Sequence, residues 1–323
     1  MLMSWLAVIG GFIFLVWSAE RFVLGASATA RNLGVSPLVI GMTIMGFGTS
    51  VPEMLVSGMA AANGNPAMGI GNALGSNIAN IGLVLGATAL IIPLSVSSRI
   101  LRREYPALFS VTLLAGILML DGELGNLDGY ILLAGTVLMV AWLIWLSKHS
   151  HDRDPLETDF TTEIPSGLST GRALFWTLLG LIILVLSARL LVWGAVDIAR
   201  ELGVSDLVIG LTIIAIGTSL PELAASAMSA FKGEDDMAVG NIIGSNMFNL
   251  LAVLALPGII HPSLLDAEVM QRDYPVVIGL TLTLFIMAYG FRGPGRINRL
   301  EGGLLLLGFI GYMVWLGNTG LGH

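Results

Sequence analysis

Long apolar runs divided by short polar breaks dominate the chain from its first residues. They fall near 3–24, 36–62, 66–92, 105–122 and 127–147, then near 171–194, 205–231, 236–260, 274–291 and 300–317. A helix needs about 20 mainly apolar residues to cross a bilayer core. The pattern therefore predicts an all-α polytopic membrane protein with ten transmembrane helices in two groups of five. The runs are continuous rather than alternating, which excludes a barrel of strands. The stretch SKHSHDRDPLETDFTTEIPSGLST is the only long polar segment, and its prolines and clustered charges mark a solvated linker. The expected division is residues 1–147, a linker at 148–170, and residues 171–323. The opening MLMSWLAVIGGFIFLVW has no basic leader and no small-residue cleavage site, so it reads as a retained first span.

Composition agrees with that pattern and removes several function classes. Of 323 residues, 55% are hydrophobic and 11% charged, and the mean hydropathy is +0.86. Soluble domains carry about 25% charged residues, so this chain cannot build a water-facing surface. The net charge of −7 argues against a nucleic-acid partner. The absence of cysteine excludes disulfides, thiolate metal sites and thiol catalysis. His149, His151, His261 and His323 all lie outside the centres of the apolar runs, which argues against an intramembrane zinc site or histidine relay. Of the 15 Lys and Arg, all but Arg189, Arg200 and Arg272 fall in connections opposite the N-terminus. The positive-inside rule then predicts a cytoplasmic linker and both termini on the outer side.

The two halves are copies. RNLGVSPLVIGMTIMGFGTSVPE at 31–53 recurs as RELGVSDLVIGLTIIAIGTSLPE at 200–222, and GNALGSNIAN at 71–80 recurs as GNIIGSNMFN at 240–249. The offset is the same for Glu53 and Glu222, Asn72 and Asn241, and Pro106 and Pro275. An odd number of spans per copy forces the second copy to enter from the opposite side. Such inverted repeats are the architecture of many secondary transporters.

What repeats best is polar. Glu53 and Glu222 each sit mid-span, where a charge costs at least ~2.5–3.5 kcal/mol on insertion scales and usually serves function. Neither has a Lys or Arg within several turns of its own helix. Thr49, Ser50 and Ser57 surround the first, and Thr218, Ser219 and Ser226 the second. Pro52 and Pro221 cannot donate a backbone hydrogen bond, so each frees a carbonyl about one turn back. Gly46, Gly48, Ala215 and Gly217 would let the chain unwind there. In the following span Asn72, Ser76 and Asn80 form a stripe at intervals of four, and Asn241, Ser245 and Asn249 repeat it. Gly71, Gly75, Gly240, Gly244, Asn72 and Asn241 read mainly as close-packing and interhelical glue. Ser76, Asn80, Ser245 and Asn249 read mainly as site residues. Carboxylate, amide, hydroxyl and backbone oxygens without sulfur or imidazole suit a hard cation such as Ca²⁺ or Na⁺. Two carboxylates neutralise one Ca²⁺ or two Na⁺, and protons compete for them when no cation is bound.

At these motifs the sequence resembles the cation/calcium exchanger superfamily, of the sodium/calcium exchanger type, and most nearly its bacterial inner-membrane YrbG-like branch. The resemblance covers nearly the whole chain. It implies ten helices, a central cation cluster built from both repeats, and a first helix in each half that slides against a static core. The implied ligands are Thr49, Ser50, Glu53, Ser76 and Asn80, with Thr218, Ser219, Glu222, Ser245 and Asn249, plus the carbonyls of Gly46 and Ala215. Some relatives carry aspartate at the position of Asn249; here two acids remain. The short linker lacks the large regulatory insertion of animal exchangers.

The expected function is Ca²⁺ export driven by inward Na⁺. Ca²⁺/H⁺ exchange would use the same glutamates, and a passive cation channel is a further alternative. An intramembrane enzyme is disfavoured, because no HExxH, Ser/His pairing or paired aspartates occur at depth. The bilayer and the transported ions are the expected partners. No cofactor, and no obligate protein partner, is called for.

Overall fold

The computed structural model describes residues 2–97, 100–149, 168–202, 215–289 and 295–320. Among the described residues, helices lie within each of the ten apolar runs. In the first half they are α1 (Leu2–Leu33), α2 (Pro37–Ala62), α3 (Pro66–Ile91), α4 (Tyr105–Leu118) and α5 (Asn126–His149). In the second they are α6 (Thr170–Glu201), α7 (Leu220–Phe231, preceded by a turn at Ala215–Thr218), α8 (Asp235–Ile260), α9 (Tyr274–Ala288) and α10 (Arg299–Gly320). Among the described residues, α1, α2, α3, α5, α6, α8 and α10 are each long and apolar enough to cross a membrane. The body of the expected linker and the start of the 205–231 run lie outside the described residues.

Local signals set the helix starts. The Ser36 hydroxyl accepts from the Val39 amide at 3.4 Å and Pro37 opens α2. The Asn65 side-chain oxygen accepts from the Met68 amide at 3.2 Å and Pro66 opens α3. The turns before α3 and α8 place Gly64 at φ 79° and Gly233 at φ 74°, a conformation open to glycine.

α1 and α6 run for 32 residues each, beyond the ends of the expected spans. At 1.5 Å per residue that is about 48 Å, against a hydrocarbon core of roughly 30 Å, so these helices tilt or overhang. The apolar criterion stopped too early because ASATARN is polar by composition yet helix-compatible. Gly25, Ala26, Ser27, Ala28, Thr29 and Ala30 are buried in α1, and a side chain on Gly25 would meet Ala173 O at 2.8 Å. Gly11 faces Leu191, Gly180 faces Phe22 and Gly194 faces Ser4, so the pair is antiparallel with small residues at the crossings. Repeat-equivalent helices running antiparallel is what an inverted repeat requires. The two pack on each other far more extensively than on the rest, and their shared apolar cluster, which also takes in Ile40, Met45, Ala225 and Met237, is distinct from the larger core.

The larger core is centred on α8 and α3, whose apolar windows are 89% and 72% buried, against 17% for α10 and 28% for α5. The outer helices expose Leu6, Phe12, Val137, Leu138, Leu307 and Val314, as a lipid-facing surface would.

Connections between the halves repeat the symmetry. Leu94–Ser95 pairs antiparallel with Arg296–Ile297, and Glu123–Leu124 pairs with Ser263–Leu264. These two-residue ribbons have no sequence signature, since residues so distant are joined only by folding. Tyr105 donates to Thr281 O at 2.9 Å, while the repeat-equivalent Tyr274 donates to Thr112 O.

α2 crosses α8 at backbone contact. A Cβ on Gly244 would lie 2.6 Å from Met42 Cα, and one on Gly46 would lie 2.9 Å from Ser245 N. Gly244→Ala is expected to lose about 1–3 kcal/mol by overpacking. Gly279→Ala, where nothing lies within 4 Å, should be neutral or stabilising by up to about 1 kcal/mol. Thermal unfolding in detergent checks this; equal melting temperatures for the two variants would contradict the close crossing.

Candidate cation-binding site

α2, α3, α7 and α8 bring the repeated motifs together. Unwinding was expected around Gly46, Gly48, Ala215 and Gly217, but Gly46–Thr49 and Ala215–Thr218 are helical turns. The interruption instead follows those turns, at Ser50 (φ −82°, ψ −1°) and at Ser219 (φ −90°, ψ 3°), two residues before the prolines that sit in the first turn of the next helical segments. The reason is geometric. Pro52 and Pro221 are well tolerated at the start of a helix, so the chain restarts around them rather than unwinding a turn earlier. The glycines serve close packing: Gly46 meets Gly244 and Ser245, Gly48 meets Leu181, and Gly217 meets Val192.

Each restart places a glutamate in the first turn, Glu53 in α2 and Glu222 in α7, both buried. Their carboxyl groups lie within coulombic reach of each other, and the Thr49 hydroxyl lies beside that of Glu222. None of the four carboxylate oxygens has a hydrogen bond of good geometry, and each is buried. Ser50 Oγ, Asn80 Oδ1 and Asn249 Oδ1 are likewise buried and unpartnered. Polar atoms are normally satisfied in a protein interior. Oxygens left unpaired in this concentration form an electronegative pocket that fits a hard cation.

The remaining expected residues have the following contacts and burial. Thr49 Oγ1 is 3.0 Å from Met45 O and 3.3 Å from Ser245 Oγ, and Ser245 Oγ donates to Gly46 O at 3.3 Å. The first half of α2 is thereby tied to α8 of the other repeat. Ser76 and Ser219 are buried, and Thr218 is half-buried. Ala215 opens the turn before α7. Ser57 is not free for the site, because its hydroxyl lies 3.1 Å from both Gly69 O and Val253 O. Ser226 accepts from Asn241 Nδ2 at 2.9 Å. Asn72 donates to Glu53 O at 3.1 Å and Asn241 to Glu222 O at 3.4 Å, reciprocal bonds that hold α3 on α2 and α8 on α7. The packing role expected for both asparagines, and for Gly240 and Gly244, matches this geometry. Gly71 and Gly75 have nothing within 4 Å of an added Cβ.

Two features had no sequence signal. Asn80–Leu85 and Asn249–Val253 are π-helical, so both repeats widen their turn at the last asparagine of the motif. Such bulges commonly accompany functional positions. A cavity of about 260 Å³ separates α6 from both interruptions, lined by Pro52, Gly217, Thr218 and Pro221 on one side and Ala188, Arg189, Val192 and Trp193 on the other. Among the described residues no group of three or more His, Cys, Asp or Glu forms a metal cluster.

Residues 3–145 and 172–317 match the sodium/calcium exchanger protein family. The chain belongs to that family. It is 50% identical to the putative antiporter CaxA of Alkalimonas amylolytica, over 98% of this chain and 99% of the relative. It is 41% identical to the inner membrane protein YrbG of Escherichia coli K12, over 98% and 96%. The solved sodium-calcium exchanger NCX_Mj, soaked with Na⁺ and Sr²⁺, superposes with a TM-score of 0.83 at 32% identity, covering 97% of this chain and 98% of that one. Exchangers are membrane transporters, so the repeated polar motifs lie in a family whose members move ions rather than transform substrates.

Thermal unfolding in detergent separates ligands from glue. Asn241→Ala is expected to lower the melting temperature by several degrees, as loss of one or two buried hydrogen bonds does, yet to keep the upward shift produced by saturating Ca²⁺. Glu222→Gln should lose that shift. The opposite pattern would exchange the roles given to the two residues.

Proposed function

We propose that the protein is a secondary antiporter that exchanges Ca²⁺ for Na⁺ by alternating access, through one site shared by the competing ions. The reading is carried by the four buried, unpaired carboxylate oxygens of Glu53 and Glu222 among neutral oxygens. With no basic group among the described residues acting on either carboxyl, charge balance must come from the cargo, which is one Ca²⁺ or two Na⁺. Occupation by one load excludes the other, and that exclusion is the physical basis of exchange. The ligands in this proposal are Thr49, Ser50, Glu53, Ser76, Asn80, Thr218, Ser219, Glu222, Ser245 and Asn249, with carbonyls from Gly46 and Ala215.

The α1–α6 pair supports the moving part. It packs more on itself than on the other helices, and a cavity lies beside the interruptions. In this proposal the pair shifts against the α2–α3–α7–α8 core and opens the site to one side at a time. The units are residues 1–147 and 171–323, joined by a cytoplasmic linker at 148–170. The distribution of basic residues supports both termini on the periplasmic face of a bacterial inner membrane.

Radiolabelled Ca²⁺ flux in proteoliposomes tests the reading, with an imposed Na⁺ gradient and then a pH gradient. A Na⁺ gradient is expected to drive Ca²⁺ movement, and Glu53→Gln or Glu222→Gln to abolish it. Flux driven only by the pH gradient would replace Na⁺ with H⁺ as the coupling ion. Wild-type flux in either glutamine variant would overturn the site. Asn249→Asp adds a third acid and is expected to change ion preference; unchanged preference would remove Asn249 from the ligand set.

A further inference from the structure

The repeats match closely in their scaffold but differ in how the motif asparagines are held. Asn80 donates from Nδ2 to Asn246 Oδ1 at 3.1 Å, a side-chain bond from α3 to α8 of the other repeat. Asn80 Oδ1 is left buried without a hydrogen bond. An amide presents its oxygen and nitrogen on opposite edges, so fixing one edge fixes the other. Turning Asn80 over would set its oxygen against the Asn246 oxygen and two donor hydrogens towards the site, which a cation would repel. With Asn246 presenting its oxygen to Asn80, Asn80 offers an acceptor; the Asn246 Nδ2 is itself buried without a hydrogen bond.

The second half lacks this device. The repeat equivalent of Asn246 is Asn77, which donates to Ala73 O of its own helix at 2.8 Å. Asn249, the equivalent of Asn80, has neither Nδ2 nor Oδ1 hydrogen-bonded, although both are buried. All four asparagines are buried, so water does not equalise the two halves.

We propose that Asn246 is a positioning residue, outside the ligand set, that holds the Asn80 oxygen towards the transported cation. Asn80 is then the preorganised amide of the site, whereas Asn249 must be oriented when the ion arrives. A ligand fixed in its bound orientation avoids the ordering cost of binding. The inference rests on cation binding at the site proposed above.

A double-mutant cycle on the full-length protein in proteoliposomes tests it, reading the half-saturating Ca²⁺ concentration separately from the maximal rate. Asn246→Ala is expected to raise the half-saturating concentration about five- to tenfold, the worth of one buried hydrogen bond, and to leave the maximal rate within about twofold. Asn246→Ser, too short to reach Asn80, should shift it in the same direction. In an Asn80→Ala background, Asn246→Ala should have no further effect on half-saturation, and Asn77→Ala should have none in the wild-type background. A merely structural role would lower melting temperature and maximal rate in both backgrounds and leave half-saturation unmoved, which would overturn the proposal. So would an equal shift with Asn80 present or absent. The wild-type arm keeps the two readings apart. Absence of any Ca²⁺ response there counts against calcium as cargo, and the same cycle is then read by the Na⁺-induced thermal shift.

Discussion

Burying the carboxyls of Glu53 and Glu222 away from water, within coulombic reach of each other and with no basic side chain among the described residues acting on either, is costly. The penalty for an ion in a protein interior is several kcal/mol after relaxation. It must be offset by something that comes and goes if the protein is to transport. The surrounding architecture suits that requirement. The unpaired hydroxyl and amide oxygens can coordinate but cannot neutralise. The cavity toward α6 lies between the two interruptions and a helix that packs mainly on α1. A permanent lysine or arginine partner would stabilise the fold and leave nothing for a cation to do.

The scaffold that holds these groups is built twice and then joined across the copies. Tyr105 reaches Thr281 O and Tyr274 reaches Thr112 O; Asn72 holds the Glu53 carbonyl and Asn241 that of Glu222. The paired ribbons obey the same symmetry, since the connection after α3 pairs with that before α10 and the connection after α4 with that after α8. Glycines at the α2–α8 crossing bring backbone onto backbone, which sets the Gly46 carbonyl within reach of the Ser245 hydroxyl. The symmetry is broken at Asn80 and Asn249, where one amide is held and the other is not.

Much of this was legible in the chain. Apolar runs gave the helix positions, because a bilayer demands about 20 apolar residues whatever the fold. The constant repeat offset and the odd span count dictated inversion, now visible in the antiparallel packing of α1 on α6. The polar motifs identified the two glutamates and the asparagine stripe, since polar atoms at that depth are too costly to be incidental. Separating Asn72 and Asn241 from the other stripe residues was also within reach, from their place in a glycine-rich packing motif.

Other features depend on contacts between residues far apart in sequence. The helix interruptions fall at Ser50 and Ser219 rather than at the glycines, because the prolines restart the helix there while Gly46, Gly48 and Gly217 pack against α8 and α6. α1 and α6 extend beyond their apolar runs because each buries the other's small residues. The π-turns at Asn80 and Asn249 and the orientation of the Asn80 amide have no signature in the motifs that contain them. Composition and periodicity determine what must be buried and how often the chain crosses, since those are properties of a segment and its solvent. Which oxygen is left without a donor is a property of the neighbours, and only the tertiary structure supplies them.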